Sequence, residues 1–276
     1  MEEKSVNEGT EPNFVFSRDE APVDGNEGGG VMPDAKQESL VRVSKSIIVE
    51  PPTGQDVDSK TVAFQFYNCF NYFLLPRDKN DVRLTLGITS ANPGEGKTHV
   101  AANLAVSLAL GYRRNTIIVD LNIQNPRVHK VFGTSLHPGL LNSLNDETLH
   151  VWQTKIEHLF VLAAGIRHNH ARDAKNFAHM SKMQRMLKEP SLGLQYTNEF
   201  GDILYSLERT HDFIIVDMPA VNSKQFPVLF ANHLDGLIVV VDTTKTKRRD
   251  VDKILRRLNE KQIFGFVLNK VKDENF

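Results

Sequence analysis

The chain has 276 residues, of which 40% are hydrophobic and 24% charged, and its formal net charge is −1. This balance excludes a wholly disordered or fibrous protein and gives no sign of nucleic-acid binding. The single cysteine, Cys69, excludes a disulfide framework within the chain. No stretch approaches the roughly 20 apolar residues of a bilayer span, and the first residues lack the apolar core of a secretory signal. We therefore expect a cytoplasmic protein that reaches the inner membrane only through a partner.

Charge is unevenly distributed along the chain. Residues 1–40 hold ten acidic and three basic residues, a net charge of −7, which leaves +6 for the remainder. Such a segment cannot bury enough apolar surface to offset its chain entropy. We predict an acidic disordered tail over residues 1–45, with a docking segment as the alternative. Residues 46–60 are predicted to form a strand-like stub and linker, and residues 61–276 to form the folded domain.

Short apolar segments in this domain predict six β-strands, over residues 83–89, 115–120, 159–163, 213–217, 236–242 and 263–269. They are rich in β-branched residues and apolar on both faces, which is typical of a parallel sheet covered on both sides. Two apolar stripes between the strands have helical spacing: Phe200, Ile203, Leu204 and Leu207, then Val251, Ile254, Leu255 and Leu258. The alternation predicts an α/β fold, a doubly wound and mostly parallel sheet with helices on both faces.

The segment SANPGEGKT, residues 90–98, lies between the first of these strands and a helical stretch. Ala91, four residues and then Gly96-Lys97-Thr98 match a phosphate-binding loop (P-loop) with Ala in place of the first glycine. Gly94 and Gly96 would let backbone N–H groups approach phosphate oxygens, and the helix N-terminus adds positive partial charge. We predict that Lys97 contacts the terminal phosphates of ATP and that the Thr98 hydroxyl binds Mg²⁺. The alternative is a fortuitous glycine-rich turn.

The residues predicted to contact the nucleotide are Asn92, Pro93, Gly94, Glu95, Gly96, Lys97, Thr98 and His99, with Asn269 at the end of the last strand as a contact to the base. The domain of residues 61–276 is thus predicted to be a P-loop nucleotide-binding domain.

Two aspartates end apolar strands, Asp120 in IIVDLN and Asp217 in FIIVDMP. Ligands bind at the carboxyl ends of the strands in this architecture, so the two should converge on the phosphates. We predict that Thr98, Asp120 and Asp217 hold the metal. Lys97, Asp120 and Asp217 are the predicted catalytic residues, one carboxylate orienting or deprotonating the attacking group. The alternative for each aspartate is a cap on the following helix.

Several of these segments together resemble the bacterial tyrosine kinases of capsule and exopolysaccharide biosynthesis, within the wider group of cell-division and partitioning P-loop ATPases. They are ITSANPGEGKT, IIVDLNIQNPRVHKVFG, HPGLLNSLNDE, IIVDMPA and LDGLIVVVDTTKTKRRDV. The resemblance covers about residues 60–272. It implies an ATP-dependent and Mg²⁺-dependent protein tyrosine kinase that works with a transmembrane polysaccharide co-polymerase and self-associates, with no nucleic-acid partner.

The chain departs from this family at three places. The family motif Asp-x-Asp-x-Arg has Asn122 and Gln124 at its last two defined positions here. A charged helix used for self-association has no counterpart in the apolar segment 61–75, and the C-terminal tyrosine cluster is missing. The alternative function is therefore an ATP-binding regulator of polysaccharide assembly without kinase activity, and a partitioning-type ATPase is a third candidate.

Overall fold

A computed structural model describes residues 46–50, 83–144, 146–166, 196–224 and 226–271. The predicted acidic tail, the linker after Glu50 and the apolar segment 61–75 lie outside these residues. The described strands are β1 (Ser46–Glu50), β2 (Leu84–Ser90), β3 (Thr116–Asp120), β4 (Thr148–Gln153), β5 (Leu159–Leu162), β6 (Phe213–Asp217), β7 (Gly236–Asp242) and β8 (Ile263–Asn269). The described helices are α1 (Lys97–Tyr112), α2 (Val128–Phe132), α3 (Leu140–Ser143), α4 (Thr197–Glu208), α5 (Val228–Ala231) and α6 (Arg248–Arg257), followed by a 3₁₀ turn at Glu260–Gln262.

All eight described strands form one sheet, in the order β1-β4-β5-β3-β6-β2-β7-β8. Every neighbouring pair is parallel except β4 and β5, so β1 and β4 run opposite to the other six. The P-loop strand β2 lies between β6 and β7. The carboxyl ends of β2, β3, β6 and β7 therefore open on the same edge of the sheet.

The core lies on both faces of the sheet because successive strand residues point to opposite sides. Ile118 and Ile215 face the side covered by α1, and Ile117 and Ile214 face the side covered by α4 and α6. Helix α1 is buried along most of its length, consistent with its apolar sequence. The α/β fold with helices on both faces is confirmed.

The six predicted strands are present, with ends that agree to within one residue. The predicted stripe of α4 is fully buried, whereas on α6 only Ile254 and Leu258 are buried and the other two positions are half-buried. Strand β4 was not predicted, although its buried Leu149 and Val151 alternate with the half-buried Thr148 and His150, which is the period of a strand. Ser46–Glu50, predicted as a strand-like stub, pairs in parallel with β4.

Among the described residues, none of the helices combines the length and the apolar character that crossing a bilayer would require.

Candidate functional site

The P-loop connects β2 to α1 and has the backbone shape that its glycines allow. Gly94 and Gly96 have φ angles of 82° and 97°, in the left-handed region that favours glycine. A Cβ atom at Gly96 would also collide with the side-chain amide of Asn269. The turn delivers Lys97 and Thr98 to the first turn of α1. The amino end of this 16-residue helix thus faces the site, where it favours an anion.

Glu95 is buried within the P-loop rather than turned towards solvent, with only 2% of its surface exposed. Its carboxylate accepts hydrogen bonds from the Asn92 backbone N–H at 3.0 Å, the Asn92 side-chain amide at 3.1 Å and the Thr246 hydroxyl at 2.7 Å. The Asn269 side-chain amide donates to the Glu95 carbonyl at 2.9 Å. These bonds hold the loop in shape from within and anchor it to the ends of β7 and β8.

Thr98 and Asp217 meet at the centre of the site. The Thr98 hydroxyl donates a 2.6 Å hydrogen bond to Asp217 Oδ2. Asp217 is fully buried, and its Oδ1 has no hydrogen-bond partner among the described residues. A buried carboxylate oxygen without a donor is costly. A hydroxyl and a carboxylate with one free oxygen fit Mg²⁺, which binds through one or two protein oxygens, water and substrate phosphates.

Asp120 is the register partner of Asp217 on the neighbouring strand β3. Its carboxylate accepts backbone hydrogen bonds from Asn122 at 3.1 Å, Arg127 at 3.0 Å and Val128 at 3.1 Å. It therefore closes the turn between β3 and α2, as the capping alternative predicts. The two aspartates come together as predicted, but their environments differ. Asp120 accepts three backbone hydrogen bonds, whereas one oxygen of Asp217 has no donor in the described part of the chain.

Burial is the main cause of the raised pKa values of Asp120 and Asp217. Burial raises the pKa of Asp217 to about 6, while the nearby Lys97 ammonium and the Thr98 hydroxyl favour its ionised form. Burial and the charge of Asp217 raise the pKa of Asp120 above its ordinary value, against the three backbone N–H donors. Two buried carboxylates on adjacent strands thus disfavour each other's ionisation, and a bound cation would relieve that repulsion.

An open cleft of about 330 Å³ is lined by Lys97 and Thr98, whereas Asp120 and Asp217 are fully buried and are not among its lining residues. Its lining residues come from the P-loop and from the turn between β3 and α2, and they are Gly94, Gly96, Lys97, Thr98, His99, Asn122, Asn125, Arg127 and Val131. The P-loop side includes five of the predicted nucleotide contacts. Asn92, Pro93, Glu95 and Asn269 are not in the lining, since the side chains of Asn92, Glu95 and Asn269 make the bonds that brace the loop. Their contact with a nucleotide stays a prediction.

The sequence analysis missed the turn after β7, which carries Thr246. Asp242 ends that strand, is fully buried and binds Lys270 Nζ at 2.7 Å. It also accepts hydrogen bonds from the Thr244 hydroxyl at 2.6 Å and the Thr244 backbone N–H at 3.0 Å. This shapes the turn that presents Thr246 to Glu95. The signal was available, because Asp242 ends an apolar strand just as Asp120 and Asp217 do.

Comparison with known proteins finds similar chains among tyrosine-protein kinases and in a succinoglycan biosynthesis transport protein. The chain is 29% identical over 218 residues to "Tyrosine-protein kinase CpsD" of Streptococcus pneumoniae, covering 76% of this chain and 85% of that protein. It is 27% identical over 190 residues to "Succinoglycan biosynthesis transport protein ExoP" of Rhizobium meliloti, covering 67% of this chain and 22% of that protein. No protein-family model matches the chain.

The VpsO kinase domain has the same fold, with a TM-score of 0.60 and 24% identity over 76% of this chain and 94% of that chain. The chain is thus similar in sequence to a bacterial tyrosine kinase and has the fold of a bacterial kinase domain. One of its departures from the kinase motif Asp-x-Asp-x-Arg, at Asn122, lies in the cleft. Asn122 lines the cleft and donates from its side-chain amide to the Asn125 carbonyl at 3.3 Å, whereas Gln124 is exposed outside the lining.

Proposed function

We propose that the chain binds Mg²⁺·ATP in the cleft between the P-loop and the turn before α2. The contact between Thr98 and Asp217 carries this proposal, because it sets a hydroxyl beside a buried carboxylate that has one oxygen free. Lys97 lies in the same cleft and is close enough to Asp217 to lower its pKa against the effect of burial. Mg²⁺ would supply charge stabilisation of the phosphates there, with Thr98 and Asp217 as its protein ligands and Asp120 beside them.

The proposed role is that of a kinase-like protein in capsule or exopolysaccharide biosynthesis. The kinase relatives support the activity, and the relative named for succinoglycan biosynthesis supports the pathway class. In this role the protein acts at the cytoplasmic side of the inner membrane, together with a transmembrane polysaccharide co-polymerase. Lys97 would neutralise charge on the transferred group, and Asp217 or Asp120 would orient the acceptor hydroxyl.

Calorimetry with Mg·ATP tests the binding site. Lys97→Ala removes a charge-assisted contact to phosphate, so its affinity should fall by roughly ten- to a hundredfold. Lys261→Ala is the matched control, because Lys261 is exposed on the 3₁₀ turn. Equal affinity of the wild type and Lys97→Ala would refute the assignment.

The kinase role has its own test, which is incubation of the purified protein with labelled ATP and measurement of released phosphate and phosphotyrosine together. Phosphotyrosine in the wild type that is lost in Lys97→Ala would support a kinase. Nucleotide binding without release of phosphate or formation of phosphotyrosine would refute the kinase role and leave the binding site intact.

A further inference from the structure

Arg127 is a cation of the cleft that the sequence analysis did not assign. It follows Pro126 in the turn between β3 and α2, the second segment that lines the cleft beside the P-loop. Its side chain is exposed, and it has no hydrogen-bond or ion-pair partner within the described part of the chain. Two of the nine lining residues, Lys97 and Arg127, carry a permanent positive charge, and none of the nine is acidic.

The two cations differ in how they are compensated. Lys97 is buried and its charge acts on the carboxylate of Asp217. Arg127 faces the same cleft without a carboxylate, so its charge is available to an anion that enters. A guanidinium with its fork of donors suits phosphate oxygens well.

The backbone of Arg127 is fixed although its side chain is exposed. Its N–H donates to Asp120 Oδ2 at 3.0 Å, and the next N–H, of Val128, donates to the same oxygen at 3.1 Å. Asp120 is fully buried at the end of β3, so these two hydrogen bonds attach the backbone of Arg127 to the sheet. The backbone at Arg127 is therefore already ordered. Fixing its side chain on a ligand costs less conformational entropy than it would for an arginine on an unanchored loop.

We propose that Arg127 contacts the terminal phosphate of the bound triphosphate, with Asp120 as the positioning residue for its backbone. This inference rests on the proposed function. The P-loop backbone and Lys97 hold the phosphates, and a group that projects beyond the P-loop into the cleft comes next to the β3–α2 turn that carries Arg127. That group is the terminal phosphate, which ATP carries and ADP lacks.

The test compares ADP with the non-hydrolysable β,γ-imido analogue of ATP, both with Mg²⁺, by calorimetry. Arg127→Ala should lower affinity for the triphosphate analogue by roughly tenfold or more and change ADP affinity less than about twofold. Arg127→Lys keeps the positive charge but loses the planar set of guanidinium donors. Its affinity for the triphosphate analogue should therefore lie between those of the wild type and Arg127→Ala. Gln124→Ala is the matched control, since Gln124 is exposed in the same turn but outside the cleft lining.

Retained ADP binding shows that each variant is folded. Equal losses for both nucleotides, or no loss in Arg127→Ala, would overturn the inference while leaving the proposed function in place. Absence of binding of either nucleotide to the wild type would overturn both.

Discussion

The hydroxyl of Thr246 donates a 2.7 Å hydrogen bond to Glu95 Oε1, across 151 residues of sequence. Thr246 also accepts the backbone N–H of Asp242 at 3.1 Å, so a single hydroxyl ties the end of β7 to the P-loop. The shape of the phosphate-binding loop therefore depends on a turn that contributes no residue to the cleft lining.

Replacing Thr246 with Val should weaken the fold and the site together. Without the Thr246 hydroxyl, the buried Glu95 carboxylate loses one of its hydrogen-bond donors. A buried acceptor left without its donor typically lowers the free energy of unfolding by about 1–3 kcal/mol. Urea unfolding should show this loss, and nucleotide affinity should fall with it. Thr134→Val is the control, because the Thr134 hydroxyl is buried without a partner among the described residues, and its removal should be neutral or stabilising. Equal stabilities of Thr246→Val and the wild type would contradict the bracing role.

Asp217→Asn should stabilise the protein in the absence of nucleotide and metal while abolishing Mg²⁺-dependent binding. Burial raises the pKa of Asp217 from 3.8 to about 6. The folded state therefore binds the proton more tightly than the unfolded state, and its stability falls as pH rises from about 4 through 6. The neutral amide of Asp217→Asn avoids the cost of burying an ionised carboxylate. We therefore expect its free energy of unfolding to exceed that of the wild type by about 1–3 kcal/mol at pH 8 and to differ little at pH 4.

Urea unfolding in EDTA at the two pH values measures the effect of Asp217→Asn, with Asp252→Asn as an exposed control. Addition of Mg·ATP should then raise the melting temperature of the wild type but not of Asp217→Asn. A variant that is less stable than the wild type at pH 8 would argue against this cost of the buried charge.

His211 should make the protein acid-sensitive. It is buried after α4, against the Leu207 carbonyl at 3.2 Å and edge-to-face with the Phe160 ring at a centroid distance of 5.1 Å. Burial lowers the pKa of His211 from 6.5 to about 4. The unfolded chain therefore takes up a proton first, and stability present above pH 6.5 is lost as pH falls towards 4. The contribution is about 2 kcal/mol between pH 7.5 and pH 5.

Unfolding titrations of the wild type and His211→Leu at pH 7.5 and pH 5 measure the contribution of this histidine. The variant should lose less stability on acidification than the wild type, by about the stated amount. Parallel pH profiles of the two proteins would show that His211 does not titrate between these states.

Asn122→Asp should raise phosphotransfer. Asn122 lines the same cleft as Thr98, the proposed metal ligand, and its amide is neutral and a poor base, so it adds no negative charge near the proposed metal. We expect weak phosphotyrosine formation in the wild type and more in the variant, at internal tyrosines such as Tyr196 or Tyr205. Mass spectrometry after incubation with Mg·ATP is the measurement, with Gln124→Glu as a charge-matched control outside the cleft lining. Stoichiometric phosphotyrosine in the wild type, without a gain in Asn122→Asp, would contradict this prediction.

The sequence predicted the sheet well because each central strand is a short, β-branched segment that is apolar on both faces, and few other structures accommodate such segments. It also predicted the P-loop, since the requirements for Gly96, Lys97 and Thr98 are local to one turn between a strand and a helix. Strand β4, which lies between β1 and β5, was missed because its alternation of buried and half-buried residues is a weaker signal than a continuous apolar run.

The sequence by itself thus determined the fold class, the phosphate-binding turn and the strand ends at which Asp120 and Asp217 lie. Only the tertiary structure decided their environments, with one Asp217 oxygen lacking a donor among the described residues and three backbone donors on Asp120. It likewise turned Glu95 inward to Thr246 and brought Arg127 into the same cleft as Lys97. The physical reason is that backbone conformation and apolar periodicity are short-range properties, whereas burial, charge compensation and hydrogen-bond partners depend on strands brought together from distant parts of the chain.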